Sequence, residues 1–352
     1  MLAFAITALA SQLLARYPGW LGTMLDRPNA RSLHVGAIPR TGGLALLLGL
    51  LVALALVMAL GTWPAAAVEP GAGAVTGGLS WVLAALLPVA VVSLLDDQGE
   101  VRPRYRLVAH IAAGSLLFAG GLGWTRLDLP GLTLALEPML ALPLTLLLVV
   151  WMTNLYNFMD GMDGLAGGMA VFGFGALAVL GWRGGDADFG LACATIAAAA
   201  AGFLTANFPP ARLFLGDLGS TSLGLLAVGF ALLGDARGLF PLWVAGLAFS
   251  PFILDATATL IRRALRGERL WEAHRSHHYQ RLVLAGWSQQ RVMIRAWILM
   301  VACAVCAVLA PSLPTADQWL LIAAWGAIYA ATAYRVRLAE RLAQSQKERR
   351  DS

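Results

Sequence analysis

Eleven apolar stretches long enough to cross a lipid bilayer, or nearly so, run through this chain, at about 2–16, 43–62, 79–95, 107–122, 139–156, 165–181, 189–206, 219–234, 240–260, 292–310 and 318–334. A transmembrane helix needs roughly 20 mostly apolar residues, and backbone amides in hydrocarbon must find hydrogen bonds within the protein. Long apolar runs without the alternation of barrel strands select helices. Composition agrees: 59% of the 352 residues are hydrophobic and only 13% charged, against about 25% charged in a soluble domain. The sequence predicts an all-α, polytopic membrane bundle of about eleven spans and excludes a single soluble core. The first stretch is short and has no basic residue ahead of it, which argues against a cleaved signal peptide.

Positive charge sets the expected orientation, because cytoplasmic loops carry the Lys and Arg excess. With the N-terminus periplasmic and the C-terminus cytoplasmic, the cytoplasmic side receives residues 17–42, 96–106, 157–164, 207–218, 261–291 and 335–352. Counting residues at the span ends, that side holds 22 of the 25 basic residues, leaving only Arg126, Arg183 and Arg237 opposite. Residues 1–334 read as one transmembrane catalytic domain. Residues 335–352 are charged, lack apolar periodicity, and read as a solvated cytoplasmic tail near anionic headgroups. Cys193, Cys303 and Cys306 fall in apolar spans without metal or disulfide spacing and read as small packing residues.

On this topology the polar clusters gather at the cytoplasmic ends of helices. Asp96 and Asp97 close the third span in VVSLLDDQGEVRPRYR. Asn154, Asn157, Asp160 and Asp163 form NLYNFMDGMDGLAGG, and Asp217 sits in NFPPARLFLGDLGSTS. Taken alone, Asp96-Asp97 is explained as well by a solvated turn, which also covers Glu100. Together, five aspartates and two asparagines on one face are oxygen donors without thiolates, a set that suits Mg²⁺ or Mn²⁺. Such a metal usually takes one or two protein ligands together with substrate phosphates, which points to a diphosphate-handling site. The three-residue spacing of Asn154, Asn157, Asp160 and Asp163 puts neighbours on one helix face, and Gly161 and Gly164 are placed to break the helix and turn these groups inward.

His274, His277 and His278 would share one face if their loop were helical. Arg262, Arg263, Arg266, Arg269, Arg275 and Arg281 make that loop electropositive, better suited to phosphate than to a metal cation. A basic helix lying on headgroups is the simpler alternative. Nucleic acid is a poor partner for basic stretches tethered this close to a bilayer. In RPNARSLHVGAIPRTGG, Arg31, His34 and Arg40 are candidates for gripping phosphate. His110 and Asp255 lie inside spans, where ionisable groups face the bundle interior or serve function; Asp255 reads as structural.

The ordered set RSLHVGAIPRTGG, DD, NLYNFMDGMDGLAGG, NFPPARLFLGDLGS and HRSHHYQR resembles the polyprenyl-phosphate N-acetylhexosamine-1-phosphate transferases. These include bacterial enzymes that initiate O-antigen, enterobacterial common antigen and teichoic acid synthesis, with the peptidoglycan phospho-MurNAc-pentapeptide translocase as a relative. The resemblance runs from about residue 27 to about 282, and HRSHHYQR and RPNARSLH look closest to O-antigen initiating members. It implies a multi-pass enzyme of the bacterial inner membrane, its site facing the cytoplasm, that transfers N-acetylhexosamine 1-phosphate from a UDP-sugar to undecaprenyl phosphate and releases UMP. It further implies Mg²⁺, with Mn²⁺ as a substitute, held by Asp217 and Asn157. Asp96 would deprotonate or order the lipid phosphate with Asp97 beside it, and Asp160 and Asp163 would shape the nucleotide and metal site. Asn154, Asn207, His34, Arg40, His274, Arg275, His277 and His278 would bind substrate. One departure is that DDQGE replaces the family's DDxxD, with Glu100 one position late, so a role for the third acid does not carry over. A homodimer is compatible with the sequence, which decides neither the oligomeric state nor the donor sugar.

Two other classes compete. A secondary transporter shares the many spans but places its site near the bilayer midplane on broken helices, whereas these clusters sit at span ends. CDP-alcohol phosphotransferases use a DGxxAR pattern that DGMDGL and DGLAGG break.

Overall fold

The computed structural model describes residues 1–17, 24–26, 37–59, 77–99, 101–269 and 275–351. Its helices are α1 (Leu2–Arg16), α2 (Gly42–Ala59), α3 (Gly78–Gln98), α4 (Pro103–Ala119), α5 (Pro138–Met159), α6 (Leu165–Arg183), α7 (Ala187–Asn207), α8 (Gly216–Ala236), α9 (Leu242–Ala248), α10 (Ser250–Leu265), α11 (His278–Leu284), α12 (Gln289–Leu309) and α13 (Thr315–Asp351). Among the described residues, strands are confined to two small antiparallel ribbons, β1 (Leu25–Asp26) with β2 (Ile38–Pro39) and β3 (Arg126–Leu129) with β4 (Leu132–Ala135). Of the described residues 79% are helical, and among them there is no closed sheet. It is an all-α, multi-pass membrane protein. Among the described residues seven helices are long and apolar enough to cross a bilayer, and α9 with α10 makes an eighth if that bent pair is one span. The helices α1 and α2 are shorter apolar helices.

The helix α8 is the centre. Apolar and small residues surround it on every side, as a helix buried all round requires, and Leu218 to Asp235 are buried without interruption. It packs against α2, α3, α5 and α6. Small residues let backbones approach where hydrocarbon supplies no hydrophobic drive between helices. At Gly43, a Cβ would lie 2.8 Å from the Cα of Gly219, and closer still to its nitrogen. At Gly224 a Cβ would lie 2.7 Å from the carbonyl of Met152 on α5.

The ends of α8 differ in kind. Its N-terminus meets the ends of α3 and α5 and the start of α4. Near its C-terminus Arg126 pairs with Asp128 and lies 3.6 Å from Asp235, and Arg237 pairs with Asp186 at 2.8 Å. Arg183 donates to the carbonyl of Val308 and to Ser312, both at 2.6 Å. All three arginines expected opposite the acidic clusters are thus engaged by the protein.

One expectation is corrected. Residues 240–260 do not form one straight span, because α9 and α10 meet at an angle of 84°. Pro251, in the first turn of α10, has no N–H to continue the ladder, and the Ser250 hydroxyl donates instead to the carbonyl of Leu247 at 2.7 Å. The residues after 334 continue α13 without a break to Asp351, and Val336 is buried.

Gly43→Ala forces α2 away from α8 and is expected to cost about 1–3 kcal/mol, as overpacking does. A fall in the thermal midpoint of the detergent-purified protein is the readout, and an unchanged midpoint would contradict the contact.

Candidate active site

Two adjacent carboxylates at the end of α3 point in different directions. Asp97 turns into the protein, where its two oxygens accept the backbone N–H groups of Asp217 at 2.9 Å and Leu218 at 2.8 Å. The first amides of a helix have no partner within it and carry its positive end. Leu215, at the N-cap of α8, has no side chain to serve them, so a carboxylate from another helix does. Gly216 makes this possible. Its φ is +75°, and a Cβ there would lie 2.5 Å from the carbonyl of Arg40 and 2.9 and 3.0 Å from the Asp97 oxygens.

Asp96 faces the other way and accepts the Val101 N–H at 2.8 Å and the Arg106 guanidinium at 2.6 Å. The same guanidinium lies 3.7 Å from Asp217. Arg106 therefore bridges two acids that are 121 residues apart in sequence. It was not singled out from sequence, although it lies one helical turn into α4 on the segment that follows the DD pair.

The α5–α6 turn supplies the next group. The helix α5 stops at Met159, and Gly164, at φ +72°, starts α6, so the glycines break the helix where the spacing suggested. Asp163 accepts the Ala211 N–H at 2.9 Å. The buried Asn207 carboxamide accepts the Gly164 N–H and donates to the Leu213 carbonyl, both at 2.9 Å. These two side chains tie the α5–α6 turn to the loop that leads into α8. Asn154 donates to the Val150 carbonyl at 2.7 Å and lies 3.3 Å from Nδ1 of the buried His110. Asn157 and Asp160 are half-buried, and among the described residues neither side chain forms a hydrogen bond.

Burial first, then the charges of Asp217, Asp97 and Asp163, push the Asp160 carboxyl well above its ordinary 3.8, with Arg40 opposing. Arg40 is paired with Asp26, and its charge also acts on Asp217 and Asp97. The structure thus assembles Asp96, Asp97, Asp160 and Asp217 with Arg40 and Arg106 at one end of α3, α5 and α8.

The histidine loop stands beside this cluster, and α10 holds it there. Asp255 accepts the His278 N–H through both oxygens, at 2.9 and 3.1 Å, and lies 3.1 Å from His278 Nδ1 and 3.7 Å from His277 Nδ1. The carboxylate read as structural is the anchor of the loop. The expected helical imidazole face does not form at these residues, because His277 is the non-helical N-cap of α11 and stacks on Tyr279. Tyr279 directs its hydroxyl at the Phe158 carbonyl, 3.5 Å away, and sits against Gly161, which links the loop to the turn bearing Asp160. Arg275 is half-buried. His34 and His274 lie outside the described residues.

As a metal site the donor set is sparse. Among the described residues no three His, Cys, Asp or Glu side chains are grouped to hold an ion by themselves. Magnesium does not require that, since it usually takes one or two carboxylates and fills its shell with water and phosphate. Asp217 beside Asp160, a carboxylate that burial and like charge disfavour until a cation offsets it, together with the uncommitted Asn157 oxygen, fits such an ion.

The family model of glycosyl transferase family 4 matches residues 79–235, from α3 to the end of α8, and so contains every acid of the cluster. A Bacillus subtilis (strain 168) protein named probable undecaprenyl-phosphate N-acetylglucosaminyl 1-phosphate transferase is 29% identical over 299 residues, covering 84% of this chain and 79% of its own. Decaprenyl-phosphate N-acetylglucosaminephosphotransferase of Mycobacterium tuberculosis (strain ATCC 25618 / H37Rv) is 30% identical over 302 residues, 78% of this chain and 73% of its own. Phospho-N-acetylmuramoyl-pentapeptide-transferase of Shouchella clausii is 30% identical over 239 residues, 64% and 71% of the two chains. The chain belongs to glycosyl transferase family 4.

Two outcomes follow from this geometry. Asp97→Ala strips the cap from α8 and is expected to lower stability by about 1–2 kcal/mol, read as a lower thermal midpoint in detergent. For Asp160, the folded group keeps its proton to higher pH than the unfolded one. It therefore favours folding below 3.8 and loses that contribution as pH rises through the raised value. Metal-free protein should lose thermal stability as pH climbs through that window, and Asp160→Asn should flatten the dependence. An identical slope in the variant would contradict the assignment.

Proposed function

We propose that this protein transfers N-acetylhexosamine 1-phosphate from a UDP-sugar to undecaprenyl phosphate, releasing UMP, as the first membrane step of an O-antigen or related cell-envelope glycan. The observation that carries the reading is the convergence of Asp96, Asp160 and Asp217 with Arg106 and Arg40 at one end of the bundle. Membership of glycosyl transferase family 4, and relatives named for polyprenyl-phosphate and N-acetylhexosamine substrates, support it.

The proposed topology keeps eleven crossings, α9 and α10 forming one broken crossing, with the N-terminus periplasmic and the acid cluster facing the cytoplasm. The far-end position of Arg126, Arg183 and Arg237 supports that polarity. A site at the ends of helices suits an acceptor whose phosphate lies at headgroup level and a donor that arrives from water.

Phosphoryl transfer asks a protein chiefly for positioning and for compensation of charge. Asp217 and Asn157 would hold Mg²⁺, which when bound neutralises the donor diphosphate. Asp96, oriented by Arg106, would order the acceptor phosphate or take its proton. Arg106 itself offers a cation to the acceptor. Asp97 would act through α8, seating Asp217 rather than meeting substrate. Asp160 completes the acidic wall, while Asp163 and Asn207 hold its turn in register with the loop before α8. Arg40, Arg275, His277 and His278, on the neighbouring loops, would bind the donor.

The test is UMP release by detergent-purified protein given undecaprenyl phosphate, a panel of UDP-N-acetylhexosamines, and Mg²⁺ or EDTA. Release that needs both lipid and metal is the expected result. Asp217→Asn and Asp96→Asn are each expected to lower it about a hundredfold or more, the usual cost of removing such an acid, while insertion stays normal. No release with any donor by folded protein would overturn the proposal and favour a transporter.

A further inference from the structure

The arginine that closes HRSHHYQR is held from the far end of the chain. Arg281 lies on α11, and its guanidinium meets the Glu340 carboxylate in two parallel contacts, Nε to Oε1 at 2.6 Å and Nη2 to Oε2 at 2.5 Å. The Arg281 side chain is only 12% exposed. Glu340 lies on the charged continuation of α13, just past the buried Val336. An exposed ion pair contributes little to stability, but a two-pronged arginine–carboxylate pair whose arginine is largely buried fixes a direction as well as a distance.

What it directs is a helix that cannot hold itself. The helix α11 has seven residues, far below the length at which an isolated helix persists, and its orientation depends on what grips it. Asp255 on α10 takes the His278 amide and lies beside both imidazoles. Arg262, also on α10, donates to the Ser276 carbonyl just before the helix. Tyr279 rests against Gly161 beside Asp160. Glu340 is the one grip of these that comes from α13.

We infer that the C-terminal part of α13 is a positioning element of the donor site: Glu340, through Arg281, sets the orientation of α11 and with it His277, His278 and the contact of Tyr279 with the Asp160 turn. The inference rests on the reading that the histidine loop binds the UDP-sugar. It gives the charged residues after 334 a task at the site, and it removes Arg281 from the groups available to substrate phosphate.

Two measurements test it on the full-length protein in detergent: hydrogen exchange of the α11 amides, which needs no turnover, and steady-state UMP release. Glu340→Gln is expected to speed α11 exchange about tenfold and to raise KM for the UDP-sugar about tenfold with kcat within about threefold. The swapped pair Arg281→Glu with Glu340→Arg should bring both back toward wild type, as a direct pairwise interaction requires. Unchanged exchange and unchanged KM in Glu340→Gln would overturn the inference, as would a swap no better than the worse single variant. If the wild-type protein releases no UMP, the transferase reading and the donor-site role fall together, while the exchange measurement still decides whether Glu340 orders α11.

Discussion

The site is built around one buried carboxylate that caps a helix it does not belong to. Asp97, at the end of α3, takes the Asp217 and Leu218 amides in the first turn of α8, and this sets the position of everything near the start of that central helix. Asp217 is the residue whose amide Asp97 holds. Gly216 must stay bare for Asp97 and the Arg40 carbonyl to come so close. The start of α2 then docks on the same turn, with Gly42 and Gly43 donating to the carbonyls of Phe214 and Leu215 at 2.8 and 2.7 Å. Three stretches that are distant in sequence meet here because the first amides of α2 and α8 must be satisfied where water is scarce.

Charge is arranged around that start in an unbalanced way. The acids Asp96, Asp97, Asp160 and Asp217 crowd together, and among the described residues two arginines are close enough to offset them, each already engaged by an acid, Arg40 with Asp26 and Arg106 with Asp96. Asp160 shows the result, since burial and its neighbours hold its carboxyl away from the charged form. Such an arrangement is costly for an empty protein and favourable for one that binds a cation with a phosphorylated substrate. The proposed chemistry and the charge imbalance of the site therefore have the same origin.

Much of this was legible in the residues. Apolar run length located α1 to α8 and α12 to within a few residues, because in lipid the backbone leaves few alternatives to helix. The bend between α9 and α10 was hidden, since an apolar count does not register the amide that Pro251 lacks. The helical course of 335–351 was hidden because a charged helix that docks by Val336 and Glu340 has no apolar stripe. At the site, motif spacing found the acids but not their directions. Adjacent Asp96 and Asp97 look alike in sequence, yet one serves a helix start and the other an arginine. Asp255 and Arg106 were missed or set aside for a related reason: each acts by reaching a partner more than nine residues away, a relation that local patterns do not carry.

The most direct test of the account is whether the start of α8 holds a divalent cation. Mn²⁺ can be titrated into purified protein with UDP-N-acetylglucosamine present, and the free ion followed by electron paramagnetic resonance. The account predicts about one bound Mn²⁺ per chain in the wild type, as a site of one or two protein oxygens completed by substrate phosphate would give, and its loss in Asp217→Ala. Equal binding by that variant, or no binding by folded wild-type protein, would contradict it.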